Sequence, residues 1–485
     1  MINNLIKKAR FGFKWALSSA VIQSIIQIVS MMVLARLLAP EDFGIYAAAL
    51  TFVGILRIAA EVGIIPFIIQ ADQIDRKSLN TARTLSLILG IIGTTLLICS
   101  SHFIEEFLGI KGVGFVLNLM SVVVLISTIS LVDQGVLQRE LEFRTIAVAQ
   151  ILSYFVGYFL IASILAAKGF GVHSLVAGTL FQVLIFCFIL RLKSSLKVAL
   201  EFDMRSAFLI LSFGFWHGLT KFLNQLTNQL DNIFLSKFFS AHVLGLYSRS
   251  YQLISVPAIA IGGALDKVIF PYFSHSRRIG ECRERALIAA LSITLMFVLP
   301  VSFLVASNSE LIVLIMLGSN WLDAAPFLEI LSILISVRIL YKIPDAILKS
   351  ERKLKTRLAI QASFFFVMFV TCYYAAVVSP LYIAYAVVIS VFYFFLTSLY
   401  LACKSISAQF KVIFVEILLT ATIWYVAFHL LTLIEKHFQY GELAALTVSL
   451  TLAVLTFSLL TFFVPRNRGY FLGLVIKGAP NDKGS

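Results

Sequence analysis

Residues 14–46 read KWALSSAVIQSIIQIVSMMVLARLLAPEDFGIY, and residues 215–247 read FWHGLTKFLNQLTNQLDNIFLSKFFSAHVLGLY. With an offset of 201 residues the two stretches align without a gap. In both, an apolar segment of helical length is followed by a basic residue, a short loop and a Gly-x-Tyr triplet. The aligned pairs are Trp15 with Trp216, Gln23 with Asn224, Gln27 with Asn228, Arg36 with Lys237, Gly44 with Gly245 and Tyr46 with Tyr247. An internal repeat of this kind predicts two related bundles.

The composition indicates an integral membrane protein. Of the 485 residues, 60% are hydrophobic and only 13% are charged, whereas soluble domains are about 25% charged. A helix needs roughly 20 apolar residues to cross a bilayer core. Fourteen segments meet that requirement, at residues 13–37, 43–69, 81–102, 115–138, 144–167, 171–192, 206–234, 242–270, 285–306, 324–349, 356–378, 380–403, 411–433 and 442–464. They are apolar on every face, unlike the strands of a membrane barrel. The prediction is therefore an all-α membrane protein with about fourteen transmembrane helices, and a short interfacial helix within 307–323.

The basic residues predict the orientation in the membrane. With a cytoplasmic N-terminus, most of the Lys and Arg in loops and tails lie on the cytoplasmic side. The opposite side carries Arg36, Lys111, Lys168, Lys237 and Lys436. Positive charge accumulates on the cytoplasmic side of membrane proteins, so both termini are predicted there. This bias and attraction to anionic lipid account for the net charge of +14 without a nucleic-acid partner.

The repeat and the segments together predict the domain organisation. A first lobe of six helices covers 1–200 and a second lobe of six covers 201–405. Two additional helices follow at 406–470, and a cytoplasmic tail at 471–485. Because six is even, both lobes begin on the same side and are related by an axis along the membrane normal. Parallel repeats of this kind occur in transporters whose site lies between the halves near the bilayer midplane.

Several basic residues fall inside the predicted segments, namely Arg57, Lys221, Arg249, Lys267, Arg338 and Lys342. Arg57, Lys221 and Arg338 each lie roughly 20 Å from a helix end, near the midplane. Arg249 is shallower, and the two remaining lysines can extend to the interface. A charge at the midplane is costly unless it faces a bundle interior or a wet cavity. We therefore expect a cationic cavity that takes an anion, and guanidinium groups suit phosphate oxygens.

Polar residues accompany these charges on helix faces. The longest predicted stripe, on one helix, consists of Lys221, Gln225, Asn228 and Asp231, with Asn224 beside it. A weaker stripe on the matching first helix consists of Gln23 and Gln27. Two further pairs at i, i+4 spacing are Arg57 with Glu61 and Arg338 with Lys342, and Asp345 lies one turn beyond the latter. Tyr46, Tyr247 and Tyr251 suit either contact with a hydroxyl-rich group or core packing.

The same charges have an alternative explanation as structural ion pairs. The candidate pairs are Arg57 with Glu61, Lys221 with Asp231, and Arg338 with Asp345. For any single pair this explanation is as good as the cavity. It does not by itself explain why three cations share one depth in three helices.

Sequence motifs for catalysis or metal binding are missing. There is no phosphate-binding Gly-rich loop and no HExxH motif. The five cysteines are scattered singly and are typical of packing residues, at Cys99, Cys187, Cys282, Cys372 and Cys403. The gaps between segments are too short for an ATPase or glycosyltransferase domain. We expect a transporter without a cofactor or metal, and not an enzyme.

Five stretches also resemble a known family: LARLLAPEDFGIY (34–46), LQRELEFRTIAVAQ (137–150), FGFWHGLTKFLNQLTNQLDNIFLSKFF (213–239), LGLYSRSYQLISVP (244–257) and VIFPYFSHSRR (268–278). They resemble the polysaccharide transporter branch of the multidrug/oligosaccharidyl-lipid/polysaccharide (MOP) flippase superfamily. The likeness is to Wzx-type and colanic-acid-exporter-type oligosaccharide flippases. It covers residues 10–405, and the last two helices match only in hydropathy.

This resemblance implies a V-shaped, MATE-like bundle of two lobes in a bacterial inner membrane. The implied substrate is a polyprenyl-diphosphate-linked oligosaccharide, such as an O-antigen, exopolysaccharide or capsule repeat unit, which crosses to the periplasmic leaflet by alternating access. Membrane lipids, a polysaccharide polymerase and chain-length machinery are the implied partners.

In that role the predicted site residues divide into three groups. The diphosphate partners would be Arg57, Lys221, Arg249 and Arg338. The sugar path would contain Gln23, Gln27, Asn224, Gln225 and Asn228. Glu61, Asp133, Asp231 and Asp345 would each be either an ion-coupling group, because desolvation raises the pKa of a carboxylate, or a fixed counter-ion.

Other functions remain as alternatives. A multidrug exporter of the same superfamily binds cations and would prefer an acidic cavity, whereas the deepest charges here are basic. A membrane-embedded polysaccharide polymerase or acyltransferase would need a large periplasmic loop with catalytic residues, and the predicted periplasmic gaps are short. A structural scaffold would not need buried cations at a common depth.

Overall fold

The computed structural model describes residues 2–61, 63–71, 74–194, 199–279, 283–351 and 353–438. Within these ranges the secondary structure is helical, without a β-strand, which confirms the all-α prediction. The first half contains α1 (Ile2–Leu37), α2 (Pro40–Glu61), α3 (Ile64–Gln70), α4 (Arg76–Leu108), α5 (Val113–Ile129), α6 (Leu131–Arg139), α7 (Phe143–Leu152), a π-helical segment (Ser153–Ile161), α8 (Ala162–Ala167), α9 (Val172–Lys193), α10 (Met204–Thr227) and α11 (Leu230–Phe238). The second half contains α12 (Ala241–Ile279), α13 (Arg283–Ser307), α14 (Ser309–Met316), a 3₁₀ turn (Ser319–Ala324), α15 (Ala325–Leu340), α16 (Lys342–Ser350), α17 (Leu354–Val378), α18 (Pro380–Ile406) and α19 (Phe410–Phe438).

Many of these helices are long and apolar enough to cross a membrane. The described residues contain ten such spans, or eleven if one bent pair is counted as a span. The ten are Ser18–Leu37, Pro40–Gln70, Arg76–Leu108, Val113–Arg139, Phe143–Ala167, Val172–Lys193, Arg283–Ser307, Ser319–Ser350, Lys355–Val378 and Pro380–Ile406. The bent pair is Met204–Phe215 with Gly218–Phe238, at 44°. The predicted total of fourteen is thus not confirmed.

The remaining predicted segments have two different outcomes. Those at 242–270 and 411–433 are helical, in α12 and α19, but are not among the ten spans. The predicted segment at 442–464 and the tail at 471–485 lie outside the described residues. The short helix expected within 307–323 is present as α14, followed by the 3₁₀ turn.

The chain forms two compact units. The first comprises Met1–Gln252, Met316–Ala324 and Phe365–Ala386, and the second comprises Leu253–Ile315, Ala325–Phe364 and Val387–Ser485. These boundaries differ from the predicted lobes, because the beginning of the second repeat belongs to the first unit. The division into lobes at 1–200 and 201–405 rests on the sequence repeat and stays a prediction.

Glycines allow close backbone approach inside the first unit. Gly63 immediately precedes α3 and has a φ of 69°, a left-handed conformation that other residues rarely adopt. A Cβ on Gly63 would lie 2.5 Å from the Cα of Gly214 in α10. The short helix α3 can therefore approach the backbone of α10 only because both positions lack a side chain.

A second close approach joins residues that the repeat makes equivalent. Near the first turn of α2, a Cβ on Gly44 would lie 1.7 Å from the carbonyl oxygen of Ala241. Near the first turn of α12, a Cβ on Gly245 would lie 1.8 Å from the carbonyl oxygen of Pro40. Pro40 and Ala241 are themselves separated by the repeat offset. The two helix ends therefore cross through a reciprocal contact in which each glycine faces the other repeat's backbone.

The segment before α10 is held by hydrogen bonds outside the predicted spans. Asp203 precedes α10, and its carboxylate accepts hydrogen bonds from the Ser206 backbone N–H and hydroxyl, both within 2.9 Å. Its Oδ1 lies 3.3 Å from Lys77 Nζ. These interactions, led by the Ser206 backbone N–H, lower the pKa of Asp203. The start of the second repeat is thereby anchored to the N-terminal turn of α4.

In the second unit, α13 packs along α15 and α19. The Ser302 and Ser336 hydroxyls are 2.6 Å apart and buried between α13 and α15. Two ionic contacts hold the helix ends: Arg283 pairs with Glu351, and Asp345 accepts from Arg357 at 2.8 Å. Buried polar contacts thus supplement apolar packing in this unit.

Candidate functional site

A polar seam of the first unit runs between α2 on one side and α10 with the turn that follows it on the other. At one end the Thr51 hydroxyl donates to Gln229 Oε1 at 3.1 Å. In the middle, a Cβ on Gly54 would lie 3.0 Å from Gln225 Nε2, so the glycine makes room for this amide. At the other end Lys221 Nζ lies 3.5 Å from Glu61 Oε2. The predicted polar faces of the two repeats therefore meet along these helices.

Next to this seam is a polar cavity of about 300 Å³. Its walls come from α1, α2, α5, α6, α7, the π-helical segment and α9. The lining residues are Gln23, Arg57, Glu61, Ser127, Ser130, Leu131, Gln134, Gln150, Ser153, Gln182, Val183 and Phe186. Nine of these twelve residues carry a polar or charged side chain, in helices that are otherwise apolar. The cavity is therefore a place in the described part of this unit where a polar ligand fits.

Arg57 lines the cavity with an exposed side chain. Within the described residues its guanidinium makes no ion pair or hydrogen bond. The alternative of an Arg57–Glu61 ion pair is wrong for this structure, because the Glu61 carboxylate pairs with Lys221 instead. An uncompensated guanidinium beside neutral amides favours an anion at this edge of the cavity.

The predicted Lys221–Asp231 pair is also wrong, since Lys221 contacts Glu61. Asp231 is 2% exposed, and its Oδ2 accepts a hydrogen bond of 2.6 Å from the Tyr247 hydroxyl. In the first repeat the equivalent hydroxyl, of Tyr46, lies 2.7 Å from Thr179 Oγ1. Both tyrosines are buried, which favours core packing over ligand contact for them.

A two-residue turn interrupts the polar stripe of the seventh predicted segment. Helix α10 ends at Thr227 and α11 begins at Leu230, so a turn at Asn228 and Gln229 separates Asp231 from the rest of the stripe. Asn228 Nδ2 donates to Asn224 Oδ1 at 2.6 Å across the end of α10. The four residues are 4, 3 and 3 positions apart, which is the spacing of one helix face, so the spacing alone does not reveal the turn.

Two of the predicted carboxylates sit among basic side chains. Asp133 is 2% exposed, and its Oδ1 accepts from Arg83 at 2.9 Å and from Arg191 at 3.2 Å. In the second unit, Asp345 contacts Arg357 and Lys349, the latter at 2.7 Å. Each of these two carboxylates is therefore compensated by two basic side chains.

Other predicted site residues lie away from the cavity walls. Arg249 is 7% exposed, and its guanidinium carbon lies 4.3 Å from the centre of the Phe43 ring, a cation–π contact near the start of α2. Gln27 is half-buried on α1 but is not a lining residue. Tyr251 is half-buried, with its ring 5.9 Å from that of Tyr247. Arg338 and Lys342 belong to the second unit.

The sequence reasoning missed most of the cavity's polar lining. Six polar lining residues were not predicted, namely Ser127, Ser130, Gln134, Gln150, Ser153 and Gln182. Ser127, Ser130 and Gln134 follow an i, i+3, i+7 pattern along α5 and α6. Gln150 and Ser153 are three residues apart. This helical spacing of polar residues in apolar segments was the signal that could have found them.

The fold and the site are those of a polytopic helical membrane protein with a polar, partly cationic cavity between its helices. The chain belongs to the family described as "Polysaccharide biosynthesis protein", which matches residues 33–326.

Two relatives agree with this family. The teichuronic acid biosynthesis protein TuaB of Bacillus subtilis (strain 168) is 24% identical over 342 residues, covering 70% of each chain. The lipopolysaccharide biosynthesis protein WzxC of Escherichia coli (strain K12) is 26% identical over 349 residues, covering 68% of this chain and 67% of the relative.

Solved structures share the fold. The lipid II flippase MurJ, in an inward closed conformation, has a TM-score of 0.75 at 15% identity and covers 92% of this chain and 99% of its own. An inward-facing MATE family transporter of the MOP superfamily has a TM-score of 0.63 at 15% identity, over 79% and 94% of the two chains. The predicted MATE-like fold is thereby confirmed.

Proposed function

We propose that the chain is a flippase, not an enzyme, for a polyprenyl-diphosphate-linked oligosaccharide. It would move a repeat unit of O-antigen, exopolysaccharide or capsule from the cytoplasmic to the periplasmic leaflet of a bacterial inner membrane. The observation that carries the proposal is Arg57, whose guanidinium has no ion-pair partner in the described part of the chain and borders a cavity lined with amides and hydroxyls. Such a site suits a ligand that joins a phosphate to a sugar.

The names of similar proteins favour the same class of substrate. TuaB and WzxC are named for the biosynthesis of cell-surface glycans, and MurJ is named as a lipid II flippase. A multidrug antiporter would bind cations, and a cavity bordered by Arg57, with Glu61 compensated by Lys221, does not favour a cation.

The transport step in this proposal is alternating access. The diphosphate and sugars enter the protein from the cytoplasmic leaflet while the polyprenyl tail stays in the lipid. Different contacts in the inward-open and outward-open states then set the direction. Both termini are cytoplasmic in this proposal, and the two lobes are the parallel repeats at 1–200 and 201–405. Partners in the same pathway would be a polysaccharide polymerase and chain-length machinery.

The carboxylates take different roles in this proposal. Asp133 and Asp345 are fixed counter-ions, because each contacts two basic side chains. Glu61 is the better candidate for ion coupling, since it lines the cavity and contacts the half-exposed Lys221. Arg249 and Arg338 are further candidate partners for the diphosphate along the path.

The experiment that tests the proposal measures surface polysaccharide in a strain that lacks its own oligosaccharide flippase. Arg57→Ala is compared with Arg57→Lys and with Arg76→Ala, which removes an exposed arginine from the first position of α4. A charge-assisted hydrogen bond contributes about 1.5–3 kcal/mol, so Arg57→Ala is expected to lower the export rate about 10- to 100-fold at equal membrane abundance.

Arg57→Lys should retain part of the export activity, because it keeps the positive charge without the bidentate geometry. Arg76→Ala should export as the wild type does. Normal export by Arg57→Ala at equal abundance would contradict the assignment of Arg57 as a diphosphate partner.

A further inference from the structure

The cavity of the first unit is lined by several carboxamide side chains. Gln23, Gln134, Gln150 and Gln182 are each half-buried and line the cavity from four different helices. Within the part of the chain that the structure describes, none of their side-chain amides makes a hydrogen bond. Each amide offers two N–H donors and one carbonyl acceptor. In an apolar helix bundle such groups are costly unless water or a ligand satisfies them.

Two of the three serine hydroxyls that line the cavity, those of Ser130 and Ser153, donate to the backbone. Ser130 donates to the backbone oxygen of Ser127 at 2.8 Å, and Ser153 donates to that of Gln150 at 3.1 Å. Both hydroxyl protons are therefore committed to the helices, and the oxygens remain as acceptors. Ser153 is also the first residue of the π-helical segment, a rare conformation that is frequent at functional sites. The wall thus offers amide donors, amide acceptors and hydroxyl acceptors together.

This combination of hydrogen-bond donors and acceptors matches a neutral polyhydroxylated ring better than an anion. Every sugar hydroxyl is both a donor and an acceptor, and neighbouring hydroxyls can pair with one carboxamide. The volume of about 300 Å³ lies at the lower limit for ligand pockets, which suits a small group. Glu61 is paired with Lys221, and among the described residues that line the cavity Arg57 is the charged one without an ion pair.

We propose that this cavity is the subsite for one neutral hexose, the sugar bonded directly to the lipid diphosphate, and that Gln134, Gln150 and Gln182 select it. The inference rests on the proposed flippase function and names the part of the substrate that the first unit recognises. Arg57 and the amides share one cavity, and in a lipid-diphosphate glycan the phosphate and the first sugar are joined by one bond. Adjacent subsites for an anion and a neutral sugar are what such a ligand requires.

The test measures binding of defined lipids to the purified full chain in nanodiscs. The probes are undecaprenyl diphosphate alone and the same lipid carrying glucose, galactose or N-acetylglucosamine. The wild type should bind at least one glycosylated lipid about tenfold or more tightly than the bare lipid. In the variant with Gln150→Leu and Gln182→Leu this preference should fall about tenfold, because two or more hydrogen bonds are lost. Its affinity for the bare lipid should not change.

Three controls keep the result interpretable. Gln138→Leu, one turn beyond Gln134 on α6 and not in the cavity wall, should retain the preference. Arg57→Ala should weaken binding of bare and glycosylated lipids equally. If the double Leu variant does not fold, judged by its thermal transition, the Asn variants of Gln150 and Gln182 shorten each amide and should lose part of the preference.

The outcomes separate the two proposals. If the wild type binds none of the diphosphate lipids, the proposed flippase function fails. If it binds them but shows no sugar preference, or if the amide variants retain that preference, the hexose subsite is overturned while the proposed function stands.

Discussion

Replacing Gly44 with alanine would add one methyl group where the first turns of α2 and α12 cross. The added Cβ would lie 1.7 Å from the carbonyl oxygen of Ala241, whereas real Cβ atoms essentially never approach within 3.0 Å. The helices must therefore separate by at least about 1.3 Å at this point. Overpacking lowers the free energy of unfolding by about 1–3 kcal/mol. Because the atom in the way belongs to the backbone and cannot rotate aside, we expect a value near 3 kcal/mol.

The net effect also includes a helix-propensity gain. Gly to Ala inside a helix stabilises by up to about 1 kcal/mol. Subtracting this from about 3 kcal/mol leaves a destabilisation of about 2 kcal/mol. For a unit of this size that corresponds to a decrease in Tm of roughly 4–8 °C. The assay is thermal unfolding of the purified protein in detergent, followed by near-ultraviolet circular dichroism.

Gly263→Ala, further along α12, is the matched control. No atom lies within 4 Å of the Cβ that it would add, so its Tm should be unchanged or higher. Gly245→Ala should destabilise as Gly44→Ala does, since its Cβ would lie 1.8 Å from the carbonyl oxygen of Pro40. The variant with both substitutions should lose less Tm than the sum of the two single decreases, because one separation of the helices relieves both clashes. A wild-type Tm for Gly44→Ala would refute the close crossing.

Other predictions concern the charged groups. Glu61→Gln should lower the Tm by less than Asp133→Asn does. The Glu61–Lys221 pair is partly exposed, with the lysine side chain 47% exposed, and such pairs contribute about 0–1 kcal/mol to stability. An equal decrease of the Tm in both variants would contradict this. Asp133→Asn removes a buried carboxylate from its two arginine partners and should cost about 3 kcal/mol, measured as a Tm decrease of roughly 6 °C or more. Asp203 has a pKa lowered by hydrogen bonds from Ser206, so its stabilisation is complete above the unfolded value of 3.8 and is lost as the pH falls through the lower folded pKa. Asp203→Asn should therefore flatten the acid limb of a Tm-against-pH profile, and an unchanged limb would rule out this contribution.

The sequence alone was sufficient for the class of fold. Long apolar segments can cross a bilayer only as helices or as a closed barrel, and unbroken apolar faces exclude the barrel. The 201-residue repeat predicted which residues are equivalent, and Gly44 and Gly245 do meet reciprocally. Arg57 and Gln23 were predicted for the site, and both line the cavity. Hydropathy and charge are properties of individual residues, so they can be read without knowing which helices are neighbours.

The tertiary structure alone decided which charged side chains form ion pairs and which polar side chains line the cavity. Spacing along one helix suggested Arg57–Glu61 and Lys221–Asp231 pairs, but Glu61 contacts Lys221 from a different helix. Asp231 instead accepts from Tyr247, beyond a turn that the helical period concealed.

The amide side chains that line the cavity could not be predicted from the sequence for the same reason. Gln134, Gln150 and Gln182 lie on separate helices, and each alone is an ordinary polar residue in an apolar segment. They form a site only because helix packing brings them to one cavity. Which side chains face each other depends on the rotation and approach of neighbouring helices, and those are set by contacts between residues that are distant in the chain.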